Sequence, residues 1–339
     1  MFTRSHLRSA LRRIVSFAQG GPPFMSHPER VDGLTDVYSV HPTARLTIVD
    51  GSASSSSRIT LGRGTYVGRR VELTAAQGGS IIIGDDTSLQ SECLISGDVH
   101  IGAHCLFGKY IFVGSTHHRF ADKPSWLIRD QDVYIPAHQA EAVGAISAPI
   151  RIEDDCWIGQ GVVIQPGIYV GRGAVIGANA VVTSDVGPYE IHGGVPNRTI
   201  GTRLDFTPPR RIDANDDAAI PYFYRGFRLT QADLSRSRAL GIVEGVGQAC
   251  LVLADGAGTF RLAGRRLDAA DLRLRINGVD GGQYQVTSEL FDLAIDLPRR
   301  TNEQGPALLR GYTVVEIDAV TASGEPARFG ISSVALADT

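Results

Sequence analysis

No uninterrupted apolar run in this 339-residue chain approaches the roughly 20 residues that a membrane-spanning helix requires, so no spanning helix is expected. Cysteine is equally scarce. Its four copies do not make a disulfide framework, which points to a reducing, cytoplasmic setting. Charge of one sign is also lacking: a formal net charge of −3 gives no global electrostatic case for nucleic acid, and none is expected as a partner. Glycine, by contrast, is abundant at 39 residues, as befits a fold built largely of turns.

The first residues carry one pattern of their own. Leu7, Leu11, Ile14 and Val15 recur at helical spacing, with Arg4, Arg8, Arg12 and Arg13 between them. Those arginines interrupt the apolar core that a signal peptide would need. Two readings stand: a basic amphipathic helix in peripheral contact with the anionic inner membrane surface, or a helix packed on the next domain or a tail without structure.

The organising stretch runs from Ile152 to Val182. Ile152, Ile158, Ile164, Val170, Ile176 and Val182 recur every six residues, and Gly159, Gly171 and Gly177 follow three of them. A period of six is neither helical nor the alternation of a plain strand. Each hexad reads as a short strand and a turn, with the aliphatic inward, a small residue such as Ala174 or Ala180 filling the interior, and the following Gly or polar residues turning the corner. Three hexads close one triangular coil, and coils stack by burying each other's aliphatic layer. The period is also clean from Ile83 through Leu89, Ile95, Ile101, Phe107 and Val113, with Phe107 large enough to predict a locally widened coil. Upstream, Leu61, Val67 and Leu73 keep the spacing, and an insertion around Ala75 to Ser80 shifts the register by four residues. Cys93, Cys105 and Cys156 fall at interior small positions, where a thiol serves as a small hydrophobe.

The expected fold is all-β: a left-handed parallel β-helix followed by a C-terminal antiparallel β-sandwich or barrel. Residues 1–39 read as the basic segment and a linker, and residues 40–204 as the β-helix, its Ser52 to Ser57 stretch a loop or unpacked cap coil. A long irregular loop at about 114–150 interrupts the repeat, and an insertion of that size in an economical solenoid is usually functional. Residues 205–217 read as a second linker, and 218–339 as the β-domain, where Leu272-Arg273-Leu274-Arg275-Ile276 alternates cleanly and no helix of useful length is expected. Tyr222, Phe223, Tyr224 and Phe227 are either a sugar-stacking surface or interior packing.

The segment Asp154-Asp155-Cys156-Trp157-Ile158-Gly159, continuing through Val162 to Gly167 and Ile176 to Thr183 and closing with Gly194-Val195-Pro196-Asn197-Arg198, resembles the hexapeptide-repeat acyltransferases. The likeness is greatest to maltose and galactoside O-acetyltransferases and to O-acetyltransferases of bacterial surface polysaccharides. It implies acetyl transfer from acetyl-CoA to a hydroxyl of a carbohydrate or glycolipid acceptor, a homotrimer, and a coenzyme lying between adjacent solenoids. The family's catalytic histidine precedes a protruding loop. His118, followed by Arg119-Phe120, Asp122 and Pro124, matches that register, and His117, after Ser115-Thr116, is the close alternative. Polysaccharide members often carry Asp-His where this chain has Ser115-Thr116, so no side chain that would orient the base is identifiable. The resemblance further implies Gly159, Gln160, Ala178 and Thr183 along the pantetheine arm, and Arg198 and Arg203 at the phosphates, with Gly201 where a second basic residue usually stands. Trp157 and Arg119 are candidate acceptor contacts, Trp157 being equally readable as coil-edge packing.

The chemistry asks little more than position and a base. A histidine near its ordinary pKa of about 6.5 is suited to take the proton of an attacking hydroxyl, and a turn N–H near Gly159 can receive the oxyanion. Adjacent histidines on a strand face opposite sides, so only one serves. Three other classes are weighed against this one: an N-acetyltransferase acting on an amino sugar, a non-catalytic glycan-binding β-helix, and a zinc hydratase of the same fold. The last needs three imidazoles. His100, His104, His117 and His118 lack a suitably spaced third ligand downstream, where only His138 stands before His192, and no metal is expected.

Overall fold

The computed structural model describes residues 22–49, 56–76, 78–138, 146–268, 271–297, 309 and 311–336, and the chain divides into two compact units, Met1–Leu204 and Asp205–Thr339. The expected N-terminal amphipathic helix lies outside the described residues, as does most of the serine stretch. Of that stretch Ser57 is buried, and its Oγ accepts the Gly78 N–H at 3.0 Å.

The first unit is a parallel β-helix of three sheets. One sheet stacks Phe24–Met25, Arg45–Val49, Glu72–Ala76, Leu94–Gly97, Phe112–Gly114, Val163–Ile164 and Val181–Val182. The second stacks Val31–Asp32, Arg58–Leu61, Ser80–Ile83, Val99–Ile101, Ile150–Ile152 and Tyr169–Val170. The third stacks Ser39–Val40, Tyr66–Val67, Ser88–Leu89, Leu106–Phe107, Trp157–Ile158, Val175–Ile176 and Glu190–Gly193, capped by the antiparallel strand Arg198–Thr202. The ladder therefore reaches Phe24, paired with Arg45, so part of the expected N-terminal linker is coil.

The register follows the hexads. Ile152 lies between Ile101 and Val170, Ile158 between Phe107 and Ile176, and Ile164 between Val113 and Val182, all essentially inaccessible to water. Each fully buried aliphatic contributes about 1.5–3 kcal/mol. Phe107 is buried in this stack with its parallel pairing intact on both sides. Two features of the hexad are sharper than the sequence pattern alone. The glycine after the aliphatic is required by the next coil: a Cβ at Gly159 would stand 2.7 Å from the Ala178 backbone nitrogen. The corner itself is made two residues later by a left-handed residue, Asp155, Gly161, Gly167, Gly173 or Asn179. The three interior cysteines are buried, Cys93 with its thiol pushed up to about 11 by that burial.

In the second unit, strands run Val279–Gln285, Asp271–Ile276, Thr313–Val320, Val243–Leu253, Arg328–Leu336, Thr259–Arg266 and Leu290–Asp296 across an antiparallel sheet. Phe223–Phe227 pairs with Val243–Leu253, and Arg211–Asp213 with Ser333–Ala335. The segment read as a second linker is thus partly a strand. A short helix, Gln231–Arg238, is present against expectation, started by Thr230, whose Oγ1 accepts the Asp233 N–H at 3.2 Å. Tyr222, Phe223, Tyr224 and Phe227 are all buried, which removes them as a sugar-stacking surface. Phe223 belongs to the main core, and Tyr224 to a second cluster with Cys250, Val252, Leu309 and Val314.

Candidate active site

The 114–150 insertion leaves the solenoid at one corner and is closed at its neck. Ser115 is buried, its Oγ accepting the Asp98 N–H at 2.7 Å and its carbonyl accepting the Ala148 N–H at 2.8 Å. Thr116–His117 then pairs antiparallel with Ile146–Ser147. Anchoring both ends confines the insertion, whose closure entropy grows only slowly with length. The expected irregular loop contains an 11-residue helix, α1 (Ile128–His138), with Pro136 in its last turn. Its buried residues are Gln131 and Ile135. Gln131 is fully buried, its Oε1 accepting the Lys123 N–H at 3.0 Å and its Nε2 donating to the Trp126 carbonyl at 3.3 Å, so the helix folds down on the loop's first half.

Helix α1 brings Asp132 to the histidine pair. Its Oδ2 lies 2.6 Å from His118 Nδ1, and its Oδ1 accepts the Arg119 backbone N–H at 2.8 Å. The Arg119 N–H, followed by the His118 imidazole, holds this carboxyl below the usual carboxylate range. An ionised Asp132 has only acceptors, so this contact calls for a proton on His118 Nδ1, and in a neutral ring that leaves the lone pair on Nε2. The His118 side chain is 78 % exposed, accessible to an acceptor. His117 is bound differently: its Nδ1 faces the His118 carbonyl at 2.8 Å and its ring leans on Phe120, centroids 5.7 Å apart. A carboxylate stabilises an imidazolium far better than a carbonyl does, so the two histidines differ in their surroundings. The Arg119 side chain is only 12 % exposed, with its Nη1 3.3 Å from Asp122, so it braces the loop. No spacing in the sequence points to Asp132, because its partner is 14 positions away and only the helix joins them.

The residues expected at the coenzyme fall into three groups. Gly159 and Gln160 stack directly under the next coil, the Gly159 N–H donating to the Ile176 carbonyl at 2.8 Å and the Gln160 carbonyl accepting the Asn179 N–H at 2.8 Å. Ala178 is exposed on the upper of those two turns. Thr183 follows Val182 as Gly114 follows Val113, on the corner where the histidine loop leaves, two coils further along. Its N–H donates to Asn197 Oδ1 at 2.9 Å, and Asn197 Nδ2 lies 2.8 Å from Nδ1 of the buried His192, fixing the turn that ends at the exposed Arg198. Arg203 is drawn elsewhere: its Nη1 donates to the Gly173 carbonyl at 2.8 Å and to Asp155 Oδ2 at 3.0 Å, and its guanidinium lies over the Tyr189 ring. Trp157 is 57 % exposed beside Leu106 on the outer row of the third sheet. Asp154, in the same motif, is structural, with Oδ1 accepting the Ala103 N–H at 2.8 Å and Oδ2 facing the buried Arg172 at 3.4 Å. Among the described residues no group of three His, Cys, Asp or Glu is placed to hold a metal ion.

Residues 149–184 of the solenoid match the family described as bacterial transferase hexapeptide (six repeats). The resemblance to hexapeptide-repeat acyltransferases holds over that segment. A chloramphenicol acetyltransferase of Agrobacterium fabrum is 39% identical over 112 residues, 31% of this chain and 52% of that protein. The galactoside O-acetyltransferase of Escherichia coli is 48% identical over 54 residues, 16% of this chain and 27% of that protein. The chain spans about half the length, or less, of these curated relatives. Among solved structures, a maltose O-acetyltransferase from Clostridium difficile is similar over 50% of this chain and 72% of that one, at 22% identity and a TM-score of 0.27. Among the described residues no helix is long and apolar enough to cross a membrane.

Proposed function

We propose that this protein transfers an acetyl group from acetyl-CoA to a sugar hydroxyl of a surface polysaccharide or glycoconjugate precursor, in the cytoplasm, with His118 as general base. The observation that carries the reading is the 2.6 Å contact of His118 Nδ1 with Asp132, which leaves Nε2 as an exposed acceptor on a loop anchored to the solenoid. His118 Nε2 takes the hydroxyl proton as the oxygen attacks the thioester carbonyl, a tetrahedral intermediate forms, and collapse expels the coenzyme A thiolate, which is protonated by the imidazolium. Asp132 holds the productive tautomer and stabilises the imidazolium. Backbone N–H groups at the turns near Gly159 are candidates to receive the oxyanion.

Gly159, Gln160, Ala178 and Thr183 are assigned to the pantetheine arm and Arg198 to the phosphates, where its planar fork gives charge-assisted bonds. Arg203, being tied to Asp155 and Gly173, supports that corner of the solenoid instead. A hydroxyl acceptor is favoured over an amine by the galactoside O-acetyltransferase among the relatives. A homotrimer completes the site, since one solenoid supplies half a groove and leaves apolar residues such as Leu106, Phe112 and Trp157 exposed on its flat faces. Incubation with acetyl-CoA and a panel of sugars, read by mass shift, should yield an alkali-labile ester on a non-amino sugar. An alkali-stable adduct formed only with amino sugars would replace the reading with amide formation, and no adduct with any acceptor would remove it. Light scattering should give three times the chain mass.

A further inference from the structure

We propose that the C-terminal unit carries its own binding site for a saccharide segment bearing a carboxylate, such as a uronic acid residue. The unit's main sheet has one face in the core: Leu272, Leu274 and Ile276 on one strand and Val315, Ile317 and Ala319 on the next are buried. Alternation therefore turns Arg273 and Arg275, with Glu316 and Asp318, to the other face. At one end that face is closed by the small apolar cluster around Tyr224, Val252 and Val314. At the other end it opens into a cavity of about 440 Å³ lined by those four charged residues with Arg225, Gln248 and Asp280. The volume is that of a small-ligand pocket.

The charges in this cavity are opposed in register but not closed on one another. Arg273 stands across the ladder from Asp318 and Arg275 from Glu316, an arrangement that ordinarily makes cross-strand ion pairs. Among the described residues, however, no ion pair or hydrogen bond of the Arg273, Arg275 or Asp318 side chains is formed, and Glu316 leans instead toward Arg225, at 3.6 Å. Two exposed guanidinium forks and a half-buried carboxylate thus border the open cavity. A guanidinium pair selects a carboxylate by bidentate bonding, while Asp318 and Gln248 offer acceptor and donor atoms for ring hydroxyls. The lining has no aromatic ring on which a nucleobase would stack. Its three carboxylates balance its three arginines, which disfavours a polyphosphate backbone. An acidic sugar, with one carboxylate among several hydroxyls, satisfies both halves of the pocket. The site needs nothing from the histidine loop, so it stands or falls separately from acetyl transfer.

The test is calorimetric titration of the full chain with trigalacturonate, with maltotriose as the neutral control and a single-stranded oligonucleotide as competitor. Saturable binding of trigalacturonate is expected, with maltotriose weaker. Arg273→Gln and Arg275→Gln should each weaken it by about tenfold or more, as expected for loss of a charge-assisted bond, without change in melting temperature or in acetyl-CoA binding. Absence of saturable trigalacturonate binding would overturn the proposal. So would equal affinity in both arginine variants, or displacement of the sugar by the oligonucleotide.

Discussion

The two units build β-structure by opposite rules. In the solenoid a residue's place in its hexad decides its fate, and every partner is one coil away: Ile158 touches Phe107 below and Ile176 above. In the C-terminal unit the partners are set by long-range register, so that Val243–Leu253 pairs with Arg328–Leu336 along one half and Thr313–Val320 along the other. Function divides along the same line. The repeat is regular, and the chemistry proposed for it sits where the period is broken by the histidine loop. The sheet places candidate binding groups on its own face by simple alternation.

The largest expected effect lies in the loop. His118→Ala should lower acetyl transfer by about a hundredfold to ten-thousandfold, the range for losing a general base, with acetyl-CoA binding intact, and His117→Ala should cost less. Steady-state and single-turnover rates measure this, and the reverse order would exchange the two roles.

Next come paired lesions in the two cores. Ile158→Ala and Leu274→Ala should each destabilise by about 2–5 kcal/mol. Hydrogen exchange should separate them: the first loosens chiefly the adjoining strands Leu106–Phe107 and Val175–Ile176, the second the whole antiparallel sheet. Equal spreading in both would erase the distinction drawn here. A smaller effect is expected from Gly159→Ala, about 1–3 kcal/mol in denaturant melts, because its Cβ would meet backbone that cannot yield easily. Gly78→Ala, with open space around it, should cost less, its left-handed backbone being the remaining strain. The smallest concerns pH. The folded pKa of Asp132 is depressed, so its contribution to holding the loop is present above the ordinary carboxylate range and is lost only as pH falls through the lowered value. Hydrogen exchange at Arg119 should therefore stay slow through mildly acidic pH, and early release would contradict the ion pair.

These differences also explain what could be read before the fold was known. A strict period of six carries its own geometry, so spacing alone assigns Ile152, Ile158, Ile164, Val170, Ile176 and Val182 to the interior, where they are buried. Helix α1 was hidden because it buries Gln131 beside Ile135 and contains Pro136, leaving no apolar stripe. The dyad was hidden with it, since Asp132 meets His118 only through that helix. Tyr222 to Phe227 read ambiguously because apolar side chains fill both faces there: Phe223 enters one core and Tyr224 the other, so alternation fails as a guide to exposure.

If His118 and Asp132 act as one unit, a double-mutant cycle on single-turnover acetyl transfer will be non-additive. Asp132→Asn should slow transfer by about tenfold to a hundredfold, the kinetic equivalent of losing a charge-assisted hydrogen bond. Added to His118→Ala, the same change should slow it no further, because the tautomer it fixes belongs to a ring already gone. Full additivity of the two losses, or an unchanged rate in Asp132→Asn, would show that the two residues do not act as a unit.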